Sequence, residues 1–339
     1  MLWVILLLAS SDGWRVDETG LFQPLTRRHV AVSDRGHIYI SHHTIKYVIH
    51  IDEHGKRLAD IGGTGNGPGE FISSFDLFID NGVLYVHDFW MGKVVCFDED
   101  GHFQKKLVQP EPGLRLVKVK AGWVTLKFGN KEQQVQSRLV LTDENFGDPI
   151  TLLTWEKQTQ IASPYTFQPV LDVCQITVSG DGEIVFFYKP GSFTIYKIDV
   201  LERKLVTHIK SNETVIPFDH DWGKAEFAKL KKKGGAAASL QSMSLPEAFP
   251  TISDLAMSPN GSLWVEKGNQ PDLAVIREYD MHAKLLKEKD SVALFRRVLA
   301  FKHGWVYLAV SGKDSEIGIQ KVRWETCAKF ILDNPLLVD

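Results

Sequence analysis

Six glycines constrain this chain more than any other feature. Each is followed three residues later by a strand-type residue: Gly36/Tyr39, Gly82/Tyr85, Gly122/Thr125, Gly182/Val185, Gly261/Trp264 and Gly304/Tyr307. A second signal runs in step with the first, an apolar run ending in an Asp-led turn at Asp52, Asp98, Asp143, Asp199 and Asp280. Each Asp stands 16 to 21 residues after its glycine. One repeat therefore holds two hairpins, one turning at the glycine and one at the Asp. Four short strands recurring at a fixed period is the pattern of blades set radially around a channel. Six glycines give six blades, and the chain is expected to be an all-β, six-bladed β-propeller.

The glycines are spaced by 46, 40, 60, 79 and 43 residues. A four-stranded blade takes about 40–50 residues, so six blades occupy residues 12–339 as a single domain. The 79-residue interval marks an insertion, 211–250, between blades four and five. Within it Trp222–Lys233 carries good helix formers, with Trp222, Phe227 and Leu230 as its apolar residues. A partly helical lid over or beside the channel mouth is expected there. The outer strand of blade six is expected from Cys327–Leu332, with Trp14–Val16 as the alternative. Either would spare the ring an open sheet edge.

The formal net charge of −3 argues against a nucleic-acid binder, which would be basic. Lys229, Lys231, Lys232 and Lys233 read as a helix end ahead of Gly234 and Gly235. Cys96, Cys174 and Cys327 are odd in number and far apart, and read as small buried residues. Leu2–Ala9 is apolar but too short to span a bilayer, so no transmembrane span is expected. It resembles the apolar region of a secretory signal, and residues 1–11 read as its remnant. Export to the periplasm or the extracellular space follows, with the cytoplasm as the alternative.

Gly62–Phe71 (GGTGNGPGEF), Leu84–Asp88 (LYVHD) and Val94–Gly101 (VVCFDEDG) resemble NHL-type repeats. In particular they resemble the bacterial, usually exported six-bladed group with a GxGPGEF connector. The resemblance spans about the first two blades and fades over the other four, and Lys93–Val94 stands where NHL repeats commonly have Arg-Ile. It implies the fold and export, and no particular chemistry. The glycine-rich stretch is not a phosphate loop, because no Lys-Ser/Thr pair or helix follows it; Glu70–Phe71 leads into another strand.

In an antiparallel blade the first–second and third–fourth turns share one face, and these are short and regular here. The second–third loops and the blade connectors share the other, and every irregular segment falls on it. Binding residues concentrate on such loops. The expected ligand-binding residues are His42, His43, Glu70, Phe89, Trp90, Met91 and Trp222, with Phe89–Met91 the sharpest candidates. The reading is a non-catalytic, monomeric scaffold for a protein, peptide or glycan, with no cofactor, metal or catalytic residue. No GxSxG or HExxH motif occurs, His42 and His43 point to opposite sides of an extended segment, and His87–Asp88 read as structural. The alternative is a lactonase-like hydrolase or lyase with calcium in the central channel, drawing on Asp254, Asn260 and Glu70.

Overall fold

The computed structural model describes residues 13–16, 29–41, 45–72, 76–111, 113, 115–131, 134–156, 174–188, 193–212, 221, 224–225, 228, 251–258, 260–267, 274–291, 298–311 and 317–325. They form six four-stranded antiparallel sheets. Blade one is Val30–Val32, Ile38–Ile40, Val48–Ile51 and Arg57–Ile61, and blade two is Asp76–Asp80, Val83–Asp88, Lys93–Asp98 and Phe103–Val108. Blade three is Arg115–Val119, Gly122–Lys131, Gln134–Thr142 and Ile150–Glu156; blade four is Gln175–Val178, Ile184–Tyr188, Thr194–Asp199 and Lys204–Lys210. Blade five is Ile252–Met257, Leu263–Lys267, Ala274–Tyr279 and Leu285–Ser291. The inner strands of blades one to five follow one another in space, and that of blade six lies beside that of blade one. The fold is a six-bladed β-propeller.

Both sequence signals have a physical cause. All six repeat glycines hold positive φ, between +73° and +136°, where a Cβ would be strained. Each repeat Asp closes its turn with one carboxylate oxygen, as Asp98 Oδ1 does by accepting from the N–H groups of Asp100 and His102 at 3.0 and 2.8 Å. Asp52, Asp143, Asp199 and Asp280 do the same.

The residue three past the glycine faces the next blade in blades one, two, five and six. Tyr39 joins the core with Leu77 and Val95, Tyr85 meets Trp123, Trp264 meets Phe301, and Tyr307 joins Val30 and Ile49. Blades three and four depart from the expected spacing. Gly122 is itself paired with Val119, one residue later than its counterparts, so Val124 faces blade four and Thr125 faces back to blade two. A longer turn in blade four makes Phe186, not Val185, the residue packed on blade five.

Blade six is Val298–Lys302, Trp305–Ser311 and Ile317–Arg323, and its outer strand is Arg15–Val16, paired with Gln320 and Ile319. This corrects the expectation that the C-terminal segment closes the ring; residues 327–332 lie outside the described set. Trp14 anchors the two-residue strand. Its indole N–H donates to the Glu53 carbonyl at 2.5 Å, and its ring meets Tyr307 edge-on at 6.4 Å. In the insertion, Asp221, Lys224, Ala225 and Ala228 have helical backbone and exposed side chains. Trp222, Phe227, Leu230 and the lysines from 229 to 233 lie outside the described residues. Cys96 and Cys174 are buried free thiols.

Candidate functional site

The first connector is built from its own motif. Gly63–Thr64 pairs in parallel with Glu70–Phe71, and Phe71 is buried between blades one and two. The Glu70 carboxylate folds back to accept from Gly67 N–H at 2.7 Å. A Cβ on Gly65 or Gly67 would lie 2.2 or 2.9 Å from that carboxylate, so those glycines leave room for it. The Glu70 carbonyl accepts from Lys93 Nζ at 3.0 Å, and Asp88 Oδ2 accepts from Ile72 N–H at 2.9 Å. Lys93 Nζ also lies 3.8 Å from that Asp88 oxygen. Glu70, Asp88 and Lys93 thus clamp the connector to blade two.

Above this clamp stands the Phe89–Met91 loop. Gly92 N–H donates to the Phe89 carbonyl at 3.2 Å, and Gln109 N–H donates to the Gly92 carbonyl at 2.8 Å. Phe89 packs inward, edge-on to His87, while Trp90 lies edge-on to Phe89. Trp90 is 58% and Met91 39% exposed, so the loop presents two large apolar side chains on a fixed base. His42, His43 and Trp222 lie outside the described residues; of the expected site residues Phe89, Trp90 and Met91 share one loop, and the Glu70 carboxylate is turned onto its own connector.

A polar collar, which the sequence reading did not single out, lies at the same end of the channel. Strand register pairs residues near the start of the inner strand with the end of the next in five blades, His29 with Ser41, Asp76 with His87, Arg115 with Leu126, Gln175 with Tyr188, and Asp254 with Glu266, while blade six begins on the apolar pair Val298–Leu308. Arg115 Nη2 donates to Gln175 Oε1 at 3.4 Å, joining blades three and four. The outer strands at the same level are apolar, with Val48 beside Ile61, Val94 beside Leu107, and Ile195 beside Ile209.

The collar is most developed between blades two and three. Trp123 of blade three packs on Phe78 and Tyr85 of blade two, which sets the level of the two sheets. Side chains alternate along a strand, so the next layer toward the irregular face opposes Asp76 and His87 to Thr125. One layer further lie Gln109 and Lys127, where Glu111 Oε2 bridges Lys127 Nζ at 3.4 Å and Arg138 Nη2 at 3.1 Å. His87 Nδ1 lies 3.1 Å from Asp76 Oδ2. His87 Nε2, both amide atoms of Gln109 and Thr125 Oγ1 are buried with no hydrogen-bond partner. An unpaired buried polar group costs about 1–3 kcal/mol, and His208 Nε2 and Gln320 Oε1, in other blades, are in the same position. The signal is invisible in sequence because it depends on inter-blade register.

The residues considered for calcium are dispersed. Asn260 sits in the inner hairpin turn of blade five, on the face opposite the connectors, and Glu70 is folded onto its own loop. Asp254 Oδ1 accepts from Leu255 N–H at 2.8 Å. Among the described residues no group of three His, Cys, Asp or Glu side chains is placed to share a metal ion.

Six four-stranded antiparallel sheets, with the inner strand of blade six beside that of blade one, define the class as a six-bladed β-propeller. The chain belongs to the 6-bladed beta-propeller family DUF5128, whose model matches residues 26–237. Among solved structures it is similar to a putative exported protein from Bacteroides fragilis, at 15% identity and a TM-score of 0.54, over 92% of this chain and 94% of that one. A member of the duf4221 family from Bacteroides vulgatus matches at 10% identity and a TM-score of 0.54, over 92% and 95% of the two chains. Virginiamycin B lyase from Staphylococcus aureus matches at 13% identity and 0.47, over 97% and 89%. At these identities the first two show the fold alone, and the third is too distant to bear on chemistry. No curated protein matches the chain.

Proposed function

We propose that the protein is a non-catalytic, monomeric binding propeller that takes a protein, peptide or glycan on its irregular face. The carrying observation is the Phe89–Met91 loop, whose Trp90 and Met91 are exposed while its base is tied to blade two. An apolar patch on a rigid support is what an interaction surface requires, because little order is lost on binding. No metal or cofactor is assigned to this role. Export belongs to the same reading, as does kinship of the GxGPGEF connector with exported NHL-type propellers. The apolar run Leu2–Ala9 ends just ahead of the closing strand, so a leader could be removed without touching Trp14.

Panning against displayed peptides and a glycan array tests the face. Every hit is measured again on W90A and on L201S, which alters an exposed residue in an outer turn of the regular face. Loss of about 30-fold or more with W90A and no change with L201S is expected for an anchor aromatic. Hits that ignore W90A and vanish with L201S would put the binding surface on the regular face and end this reading. N-terminal sequencing of the protein from fractionated cells tests export; a cytoplasmic chain that retains residues 1–11 refutes it.

A further inference from the structure

On the regular face, cations pair with carboxylates across blade boundaries. Lys302 of blade six meets Asp34 of blade one at 2.6 Å, Arg35 of blade one meets Asp100 of blade two at 3.2 Å, and Lys118 of blade three meets Asp80 of blade two at 3.7 Å. Lys120 of blade three pairs in the same way with Glu183 of blade four. Two cations break this pattern. Lys321 and Arg323, on the third strand of blade six, form no ion pair among the described residues.

Strand register places them together. Trp305 and Tyr307 alternate to one side of the second strand, opposite Arg323 and Lys321 on the third. Tyr307 packs with Val30 and Ile49, so all four side chains point toward blade one. The Arg323 guanidinium carbon lies 4.0 Å and Lys321 Nζ 4.6 Å from the centre of the Trp305 ring, and Lys321 Nζ lies 5.9 Å from that of Trp14. Arg323 is exposed, and Trp305 and Lys321 are half-buried, so the group meets solvent without any rearrangement. Cation–π attraction holds each charge on the ring but leaves it uncompensated, and the two repel. Burial holds the Lys321 ammonium below its usual range and Arg323 pushes the same way, while Glu53 opposes them. The Glu53 carboxylate is engaged elsewhere, with Oε2 3.1 Å from His37 Nε2 and Oε1 3.3 Å from His54 Nε2. Lys321 Nζ donates instead to the Glu53 carbonyl, at 3.3 Å.

The free donors define what would complete the pair. A guanidinium carries five N–H donors in a planar fork, and an ammonium carries three. The Arg323 side chain donates to no described acceptor, and Lys321 uses one donor on Glu53. A fork held flat on an indole beside a point charge matches a group whose negative charge is shared by two or more oxygens. We propose that Lys321 and Arg323, mounted on Trp305, form a binding site for an oxyanion, the phosphate, sulfate or carboxylate group of a ligand, between blades six and one on the regular face. Arg323 takes two oxygens of the group, Lys321 adds the second charge, and Trp305 fixes the plane of the guanidinium. The site is separate from the Phe89–Met91 loop and does not rest on the reading of the irregular face.

The test titrates the full chain with sodium phosphate, sulfate and acetate at constant ionic strength, made up with chloride so that general screening does not change. The readout is the Trp305 indole N–H resonance in NMR spectra, assigned by its loss in W305F. A saturable shift with at least one of the three is expected, weakened about tenfold or more in R323Q. Phosphate and sulfate without acetate would mark the ligand group as tetrahedral, and acetate alone would mark it as a carboxylate. Arg323 is exposed, so R323Q is expected to fold with a Tm within about 2 °C of the parent. The absence of a saturable shift with all three overturns the inference. A shift that R323Q leaves at full strength overturns it too, because the anions then act without the fork.

Discussion

Removing the indole of Trp14 should open the ring. The closing strand is two residues long, Arg15 and Val16, and a two-residue ladder cannot hold a sheet edge by itself. Trp14 supplies what the ladder lacks. Its carbonyl accepts from Lys321 N–H at 2.9 Å, its N–H reaches Glu53 of blade one, and its ring rests against Gly55, where a Cβ would lie 2.9 Å away. An indole presents about 200 Å²; half of that, removed from water at about 25 cal/mol/Å², contributes about 2.5 kcal/mol. The hydrogen bond to Glu53 adds about 1 kcal/mol. W14A is therefore expected to lose about 3 kcal/mol of unfolding free energy in urea, with a lower midpoint and little change in slope. W90A, whose indole is mostly in water, should stay within about 0.5 kcal/mol of the parent. If W14A costs less than about 1 kcal/mol, closure is carried elsewhere, and the segment after residue 325 becomes the candidate.

Three further outcomes are expected. Burial, aided by neighbouring His37, pushes the His50 pKa down to about 4; its Nε2 shares a 2.9 Å hydrogen bond with His37 Nδ1, whose Nε2 lies 3.1 Å from Glu53. The unfolded chain then binds more protons between about 6.5 and 4, so this contribution is complete above about 6.5. It is lost as pH falls toward 4, by at most about 3 kcal/mol at about 1.4 per pKa unit. Urea titrations across that range should show a steeper slope in the parent than in His50→Gln, where His208, lowered by its own burial, still contributes; equal slopes would refute the assignment. Gly101 and Gly261 share positive φ, but a Cβ on Gly101 would lie 2.6 Å from Ile61 while Gly261 has open space. G101A should cost at least about 1 kcal/mol more than G261A, and equal losses in thermal melts would mean that φ strain alone matters. Glu70→Ala removes the bond to Gly67 N–H and should cost about 1–2 kcal/mol without weakening a ligand held by Trp90; a loss of binding comparable to that of W90A would make Glu70 a contact residue.

The fold was legible because its turns demand particular chemistry. Positive φ selects glycine at Gly36, Gly82 and Gly304, and the two amides closed by one carboxylate oxygen select Asp at Asp52 and Asp98. The same signals carried the closure, though it was read the other way. Six glycines are matched by only five turn Asps, because blade six has no third–fourth hairpin and takes its outer strand from Arg15–Val16. Counting from glycine failed in blades three and four, where turn length shifts the pleat by one and exchanges the faces of Thr125 and Val124. The Phe89–Met91 loop could be found because three large apolar residues between strands have no place in a hairpin. Asp76, Gln109 and Thr125 could not. Each is an ordinary strand or connector residue locally, and becomes informative only when two sheets face each other at the level set by Trp123.

That arrangement separates stability from recognition along each blade. Within a blade the third and fourth strands lie toward the outside, and near the irregular face they stay apolar, as Val94–Leu107 and Ile195–Ile209 do. The first two strands border the channel, and there the same level turns polar through His29–Ser41, Asp76–His87 and Asp254–Glu266. Packing between blades depends on continuous apolar contact, so polar residues are tolerated best at the end of a seam, beside the channel and under a connector. The cost there falls on the two layers nearest the irregular face, and the Trp123 layer below keeps blades two and three in register.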